Sequence, residues 1–174
     1  MEPSAENDRP RIRVLGLGNE ILADDAFGIL AAREVERLYP RQVEVLCSSA
    51  AGFNLLDDLL GASHLIVLDT IITGATPGTI HVCQPDQFET APGIAPHFLG
   101  LFEVLDVARR LDLRVPEETT VIAVEAADCA TLGGGMHPDV RSAIADVVDL
   151  VGEVVANGHP MEAVSRNRSL WSRL

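Results

Sequence analysis

Lysine is missing altogether: all thirteen basic side chains of the 174-residue chain are arginines, a bias that reads as genomic base composition rather than function. Against them stand 26 acids, giving a net charge of -13, and the chain has no basic footprint with which to hold nucleic acid. The acidity reads as a solvated surface. No apolar run approaches the roughly 18 residues needed to span a bilayer, so membrane insertion is not expected. The opening stretch, Met1–Pro10, lacks the basic-then-apolar order of a signal peptide, which leads to a cytoplasmic expectation. Cysteines are few and odd in number: Cys47, Cys83 and Cys129 lie far apart in no metal-ligand spacing, and are expected as buried free thiols.

What is there is a strongly patterned chain with 47% hydrophobic residues, enough for one well-packed domain. The stretch that organises it runs from Arg11 to Glu36. Ile12–Leu17 is a short apolar run suited to a central strand. The chain then turns at Gly16-Leu17-Gly18-Asn19 and reaches the paired acids Asp24 and Asp25. Phe27, Leu30, Ala31, Val35 and Leu38 follow at helical spacing. Further strands are expected at 42–47, 64–68 (ending in Asp69), 79–83 on an edge, and 119–124. Helices are expected on Phe53, Leu55, Leu56, Leu59 and Leu60, on Leu101, Leu105, Ala108 and Leu111, and from Pro138 along Val140, Ile144, Val147, Val151 and Val154. The loop of residues 84–96 is the longest in the domain, and loops of that length are usually functional or mobile. Strands alternating with helices predict an α/β fold: a three-layer α/β/α sandwich with a mostly parallel twisted sheet. The domain is expected at 11–156, between a disordered N-terminal tail, 1–10, and a C-terminal tail, 157–174.

In such a sheet the carboxyl ends of neighbouring strands share one edge, where side chains converge. Asp25 follows the first strand, Asp69 ends the third and His97 begins the helix after the long loop. Two carboxylates and one imidazole form an oxygen/nitrogen donor set that suits a divalent transition metal with open positions. Each residue also has a plain structural reading. Asp69 caps a turn, and Asp25 and His97 satisfy N–H groups near helix starts. The Gly16/Gly18 pair after a strand invites a dinucleotide reading, that of a nucleotide-binding oxidoreductase. The third glycine of that fingerprint is replaced by Ile21, and the nearby aspartates would repel a pyrophosphate.

The ordered motifs resemble those of the hydrogenase maturation endopeptidases. That family opens with a strand, G-x-G-N, a short loop and D-D/E-G/A-x-G, matched here by Gly16, Gly18, Asn19 and Asp24-Asp25-Ala26-Phe27-Gly28. Asp69 within Leu65–Asp69, His97 within Pro96-His97-Phe98-Leu99-Gly100-Leu101, Pro77-Gly78-Thr79 and Gly135-Met136-His137-Pro138 match later landmarks, so that the likeness runs from about Ile12 to Val155. Where many relatives carry an acidic D-G-G-T stretch, this chain has Cys47-Ser48-Ser49-Ala50. The resemblance implies an endopeptidase that removes the C-terminal extension of the nickel-loaded large-subunit precursor of a nickel–iron hydrogenase. It implies that Asp25, Asp69 and His97 meet nickel brought by that precursor, with none permanently bound to the protease. Water activation is left open between a metal-activated water and an aspartate base, with Asp24, Asp25 and Asp69 as candidates. Backbone N–H groups around Gly18 and Asn19 are candidates for oxyanion stabilisation. A non-catalytic nickel chaperone or checkpoint protein for the same subunit would use the same three donors and leave the precursor intact.

Overall fold

The computed structural model describes residues 12–83 and 96–157, with the backbone alone at 83 and 96–99. The expected N-terminal tail, the expected C-terminal tail beyond Asn157 (which still belongs to the last helix), nearly all of the long loop, the Cys83 thiol and the His97 imidazole lie outside the described residues. The described chain runs β1 (Ile12–Leu17), α1 (Phe27–Leu38), β2 (Val43–Ser48), α2 (Leu56–Leu59), β3 (His64–Ile71), β4 (Ile80–Cys83), α3 (Pro96–Arg110), β5 (Glu118–Glu125) and α4 (Pro138–Asn157). The five strands form one sheet in the order β2-β1-β3-β5-β4. β1, β2, β3 and β5 are parallel, and β4 lies antiparallel on the edge. The expected three-layer, mostly parallel sandwich is what the chain adopts.

Both faces of the sheet are covered, which is why β1 and β3 are buried along their whole length and mostly apolar, with Arg13 the polar exception within β1 and Leu65–Leu68 a continuous apolar run. Ile12, Val14, Ile66, Leu68, Ile122 and Val124 point to α1 and α4. Leu15, Leu17, Leu65, Val67, Ile71, Val121 and Ala123 point to α2 and α3. Proline opens both long late helices, at Pro96 and Pro138, where its missing N–H costs nothing. Pro40 ends α1, because the residue before a proline avoids the helical region.

Several expectations need correction. Beyond Gly52 the chain makes a 3-10 turn, Gly52–Leu55, and only one α-helical turn, so Phe53 is exposed instead of packed. Leu38 and Leu111, expected on buried helix faces, are exposed at helix ends. β3 does not end at Asp69 but continues to Ile71, because β5 runs on to Glu125 and pairs with it there. Asp69 therefore lies inside a strand and is fully buried. The thiols of Cys47 and Cys129 are free, yet Cys47 is exposed and Cys129 only half-buried. Among the described residues no helix is long and apolar enough to cross a membrane.

Candidate active site

The strand order locates the site before any side chain is considered. From β1 the chain moves outward to β2, then returns past β1 to β3, so the order reverses between β1 and β3. Crevices at such reversals, at the carboxyl ends of the strands, hold the sites of open α/β sheets. β1 and β3 pair from Ile12↔His64 to Gly16↔Leu68, after which β1 turns away and β3 continues beside β5 alone. Asp69 is the first residue beyond that divergence.

Asp25 reaches the same crevice through the turn after β1. Gly18 has φ +138°, a region L side chains rarely adopt, and a Cβ there would stand 1.9 Å from the carbonyl oxygen of Asp25. The 3-10 turn Ala23–Ala26 is thus folded directly against Gly18, with a carboxylate oxygen of Asp25 3.8 Å from that Cβ position. At the start of α1, a Cβ on Gly28 would meet the carbonyl oxygens of Leu17 at 2.2 Å and Leu68 at 2.3 Å. Only glycine lets the helix sit this close over the ends of β1 and β3. α3 begins at the same edge: a Cβ on Gly100 would lie 2.7 Å from Cα of Gly52, in the turn that follows β2. The backbone of His97, in the first turn of α3, therefore comes to the edge that carries Asp25 and Asp69.

The adjacent acids Asp24 and Asp25 differ in what surrounds them. Asp24 is almost wholly buried, and its carboxylate accepts the N–H groups of Ala127 (2.8 Å), Asp128 (2.9 Å) and His137 (2.6 Å). Backbone bonds from Ala23 to Thr131, from Asp24 to Asp128 and from Gly133 to Ile21 complete the tie between the two loops. Asp69 accepts the N–H of Thr70 at 2.7 Å through one oxygen. Cys129, which no sequence signal marked, stands among the acids. Its Sγ lies 3.5 Å from Oγ1 of Thr70. Burial pushes its thiol up to about 11, and the charges of Asp25, Asp24 and Asp69 add to that, against a lowering by the Thr70 hydrogen bond. The turn at Gly18 and the close seat of Gly28 bring Asp25 to the ends of β1 and β3, where Asp69 and, beside Thr70, Cys129 also lie.

The turn residues expected to stabilise an oxyanion have their N–H groups in use. Gly18 donates to the carbonyl of Ser48 and Asn19 to that of Asp25, both at 3.2 Å. The Asn19 side chain accepts the N–H of Ile21, closing a local turn. In this conformation Gly18 and Asn19 shape the crevice and offer no backbone oxyanion hole. Among the described residues no three histidine, cysteine, aspartate or glutamate side chains are arranged to hold a metal ion. Asp25 and Asp69 supply oxygen donors of the right chemistry, and a third donor would have to come from His97 or from outside the chain.

Comparison with known proteins agrees with this geometry. The family model described as hydrogenase maturation protease matches residues 29–154. The hydrogenase expression/formation protein HupD of Bradyrhizobium diazoefficiens is 35% identical, over 88% of this chain and 82% of its own length. The hydrogenase 2 maturation protease of Escherichia coli K12 is 36% identical, over 66% of this chain and 72% of its own. Among solved structures, the hydrogenase maturating endopeptidase HybD from E. coli superposes with a TM-score of 0.71 at 32% identity, covering 85% of this chain and 94% of that one. The crevice at the β1/β3 reversal, its acids and these likenesses lead to one conclusion: the chain belongs to the hydrogenase maturation protease family and is an endopeptidase.

Proposed function

We propose that this endopeptidase removes the C-terminal extension from the large-subunit precursor of a nickel–iron hydrogenase after nickel has been inserted, and that it works in the cytoplasm. The observation that supports this reading is the approach of Asp25 and Asp69 to the β1/β3 crevice, where Gly28 packs over the ends of both strands. In this reading Asp25, Asp69 and His97 complete the coordination of nickel held by the precursor, which fixes the scissile bond against the protease. The donor set is incomplete by design, since the remaining donors come with the substrate. Asp24 holds the loops, and proton transfer to or from water falls to Asp25 or Asp69, whichever is not engaged with the substrate.

The surroundings suit a polypeptide substrate. Each of the four parallel strands sends a loop past the carboxyl edge, and each loop exposes one large apolar residue: Ile21 after β1, Phe53 after β2, Ile72 after β3 and Leu132 after β5. An acidic crevice ringed by apolar side chains favours an internal peptide bond over a free C-terminal carboxylate, which the acids would repel. The test is intact-mass spectrometry on the cognate precursor, nickel-loaded and nickel-free. Loss of a discrete C-terminal peptide from the loaded form alone is expected. Equal cleavage of both forms would remove the nickel requirement, and no cleavage of either would remove this substrate.

A further inference from the structure

We infer that Glu125 is a positioning residue for Asp69, holding the end of β3 in place from the neighbouring strand. The inference rests on Asp69 acting at the scissile bond. Beyond Leu68, β3 has lost β1 as a partner, and Asp69, Thr70 and Ile71 are paired on the β5 side. Such a one-sided strand end would fray, and the loop that follows it leads out to solvent at Ile72. Glu125, the last residue of β5 and only 1% exposed, closes that end. One oxygen accepts the N–H groups of Thr73 (2.7 Å) and Gly74 (2.8 Å); the other accepts the Thr73 hydroxyl (2.8 Å) and lies 3.2 Å from Nε2 of His81. Its backbone holds the far side of the same loop, through Gly78 N–H to its carbonyl and its own N–H to Thr79.

Glu125 and His81 also stand on the face of the sheet that carries Asp69. Asp69, Ala123 and His81 form one row across β3, β5 and β4, and Glu125 occupies the next position on that face, opposite Ile71. A buried carboxyl group with three donors and an imidazole nitrogen around it is a costly feature to keep in a sheet interior, and the geometry uses it to substitute for the strand partner that β3 lacks.

The clamp makes a distinctive demand on substitutions. Glu125→Gln can keep both backbone bonds on its amide oxygen, while the Thr73 hydroxyl turns to accept from the amide nitrogen. Glu125→Ala loses every side-chain bond and keeps only the backbone ones. Kinetics on the nickel-loaded precursor, run well below the melting temperature, and amide hydrogen exchange at Asp69–Gly74 without substrate test it together. The Gln variant is expected within about threefold of the parent in kcat. The Ala variant is expected to lose about tenfold or more in kcat with little change in KM, and to exchange faster at Thr70–Gly74. An Ala variant with lowered Tm but unchanged kcat would overturn the inference, as would a Gln variant as impaired as Ala with unaltered exchange. Should the Ala variant not fold, Gly74→Ala disturbs the turn alone, since Gly74 has φ +92° and open space around its Cβ position. Lower kcat and faster exchange there support the clamp, and unchanged kcat overturns it. Wild-type cleavage by Asp69→Asn would instead remove the role of Asp69, leaving the exchange data to judge the clamp.

Discussion

Two loop regions flank the crevice, and each is held by one buried carboxyl group that accepts three bonds from the loop it holds. On the β1 side Asp24 reaches residues 103 to 113 positions away and ties the Ala23–Ala26 turn to the loop before α4. On the β3 side Glu125 reaches back 51 to 52 positions and ties the turn at Thr73 and Gly74. The difference lies in where the acid proposed to react sits. Asp25 is the chain neighbour of its clamp, whereas Asp69 is steadied from a different strand. An acid at this edge is therefore not a candidate for chemistry merely by being there; its partners decide.

The sharpest way to break the comparison is to remove charge without removing shape. Asp25→Asn and Asp69→Asn are each expected to lower the cleavage rate about a thousandfold or more while Tm stays near that of the parent, as loss of a directly acting group does. Rates from precursor mass shifts, with melting curves alongside, check this. Retention of activity by either variant would transfer its role to another residue.

Asp24 should behave in the opposite sense. Asp24→Ala leaves three partly buried N–H groups, those of Ala127, Asp128 and His137, without their acceptor, which costs about 3 kcal/mol after partial compensation by water. For a chain of this size that is roughly a 10 °C fall in Tm. Asp24→Asn keeps one good acceptor and is expected to fall less. Calorimetry ranks the three proteins, and an Asp24→Ala variant as stable as the parent would show that backbone bonds alone zip the loops.

The contrast also explains what could be read from the residues alone. β1, β3 and β5 were legible as short buried runs and β2 by its alternation, and the G-x-G-N and D-D-A-x-G motifs were legible because Gly18 and Gly28 stand where a side chain would strike a carbonyl. The division of labour between Asp24 and Asp25 was not, since two adjacent identical side chains carry no mark of which loop they face. Asp69 looked like a strand end because the apolar run stops at Leu68. Its burial depends on β5, some fifty positions later. Cys129 and Glu125 escaped for the same reason: their significance comes from residues distant in the chain. The imidazole of His97 lies outside the described residues, so its place rests on the resemblance and on the start of α3.

Cys129 offers a gentler probe of which carboxylates share the crevice. With a thiol pushed up to about 11, it should alkylate slowly at pH 8, where only about a thousandth is thiolate. Burial is the first cause and persists in variants. Negative charge from Asp25, Asp24 and Asp69 is the further cause, and removing one such charge makes the thiolate easier to form. Asp25→Asn should therefore speed alkylation of Cys129 at fixed pH, read by peptide mass, while exposed Cys47 serves as the internal reference. An unchanged rate would place Asp25 farther from the sulfur than the crevice requires.

The smallest expected effect distinguishes the crevice from its rim. Ile21 and Leu132 sit at the tip of the zipped loop pair, joined by the Leu22↔Leu132 bridge, while Phe53 and Ile72 stand on separate loops. Other exposed apolar side chains, Leu38, Leu111 and Leu113, lie towards the opposite edge and provide a built-in control. If the rim receives the precursor, Leu132→Ser should raise KM about fivefold, the loss of roughly 1 kcal/mol of apolar contact, with kcat and Tm nearly unchanged. Leu111→Ser should alter neither constant. Equal effects from the two edges would mean that the substrate is recognised by the acids alone, and the ring of apolar residues would then have no part in docking.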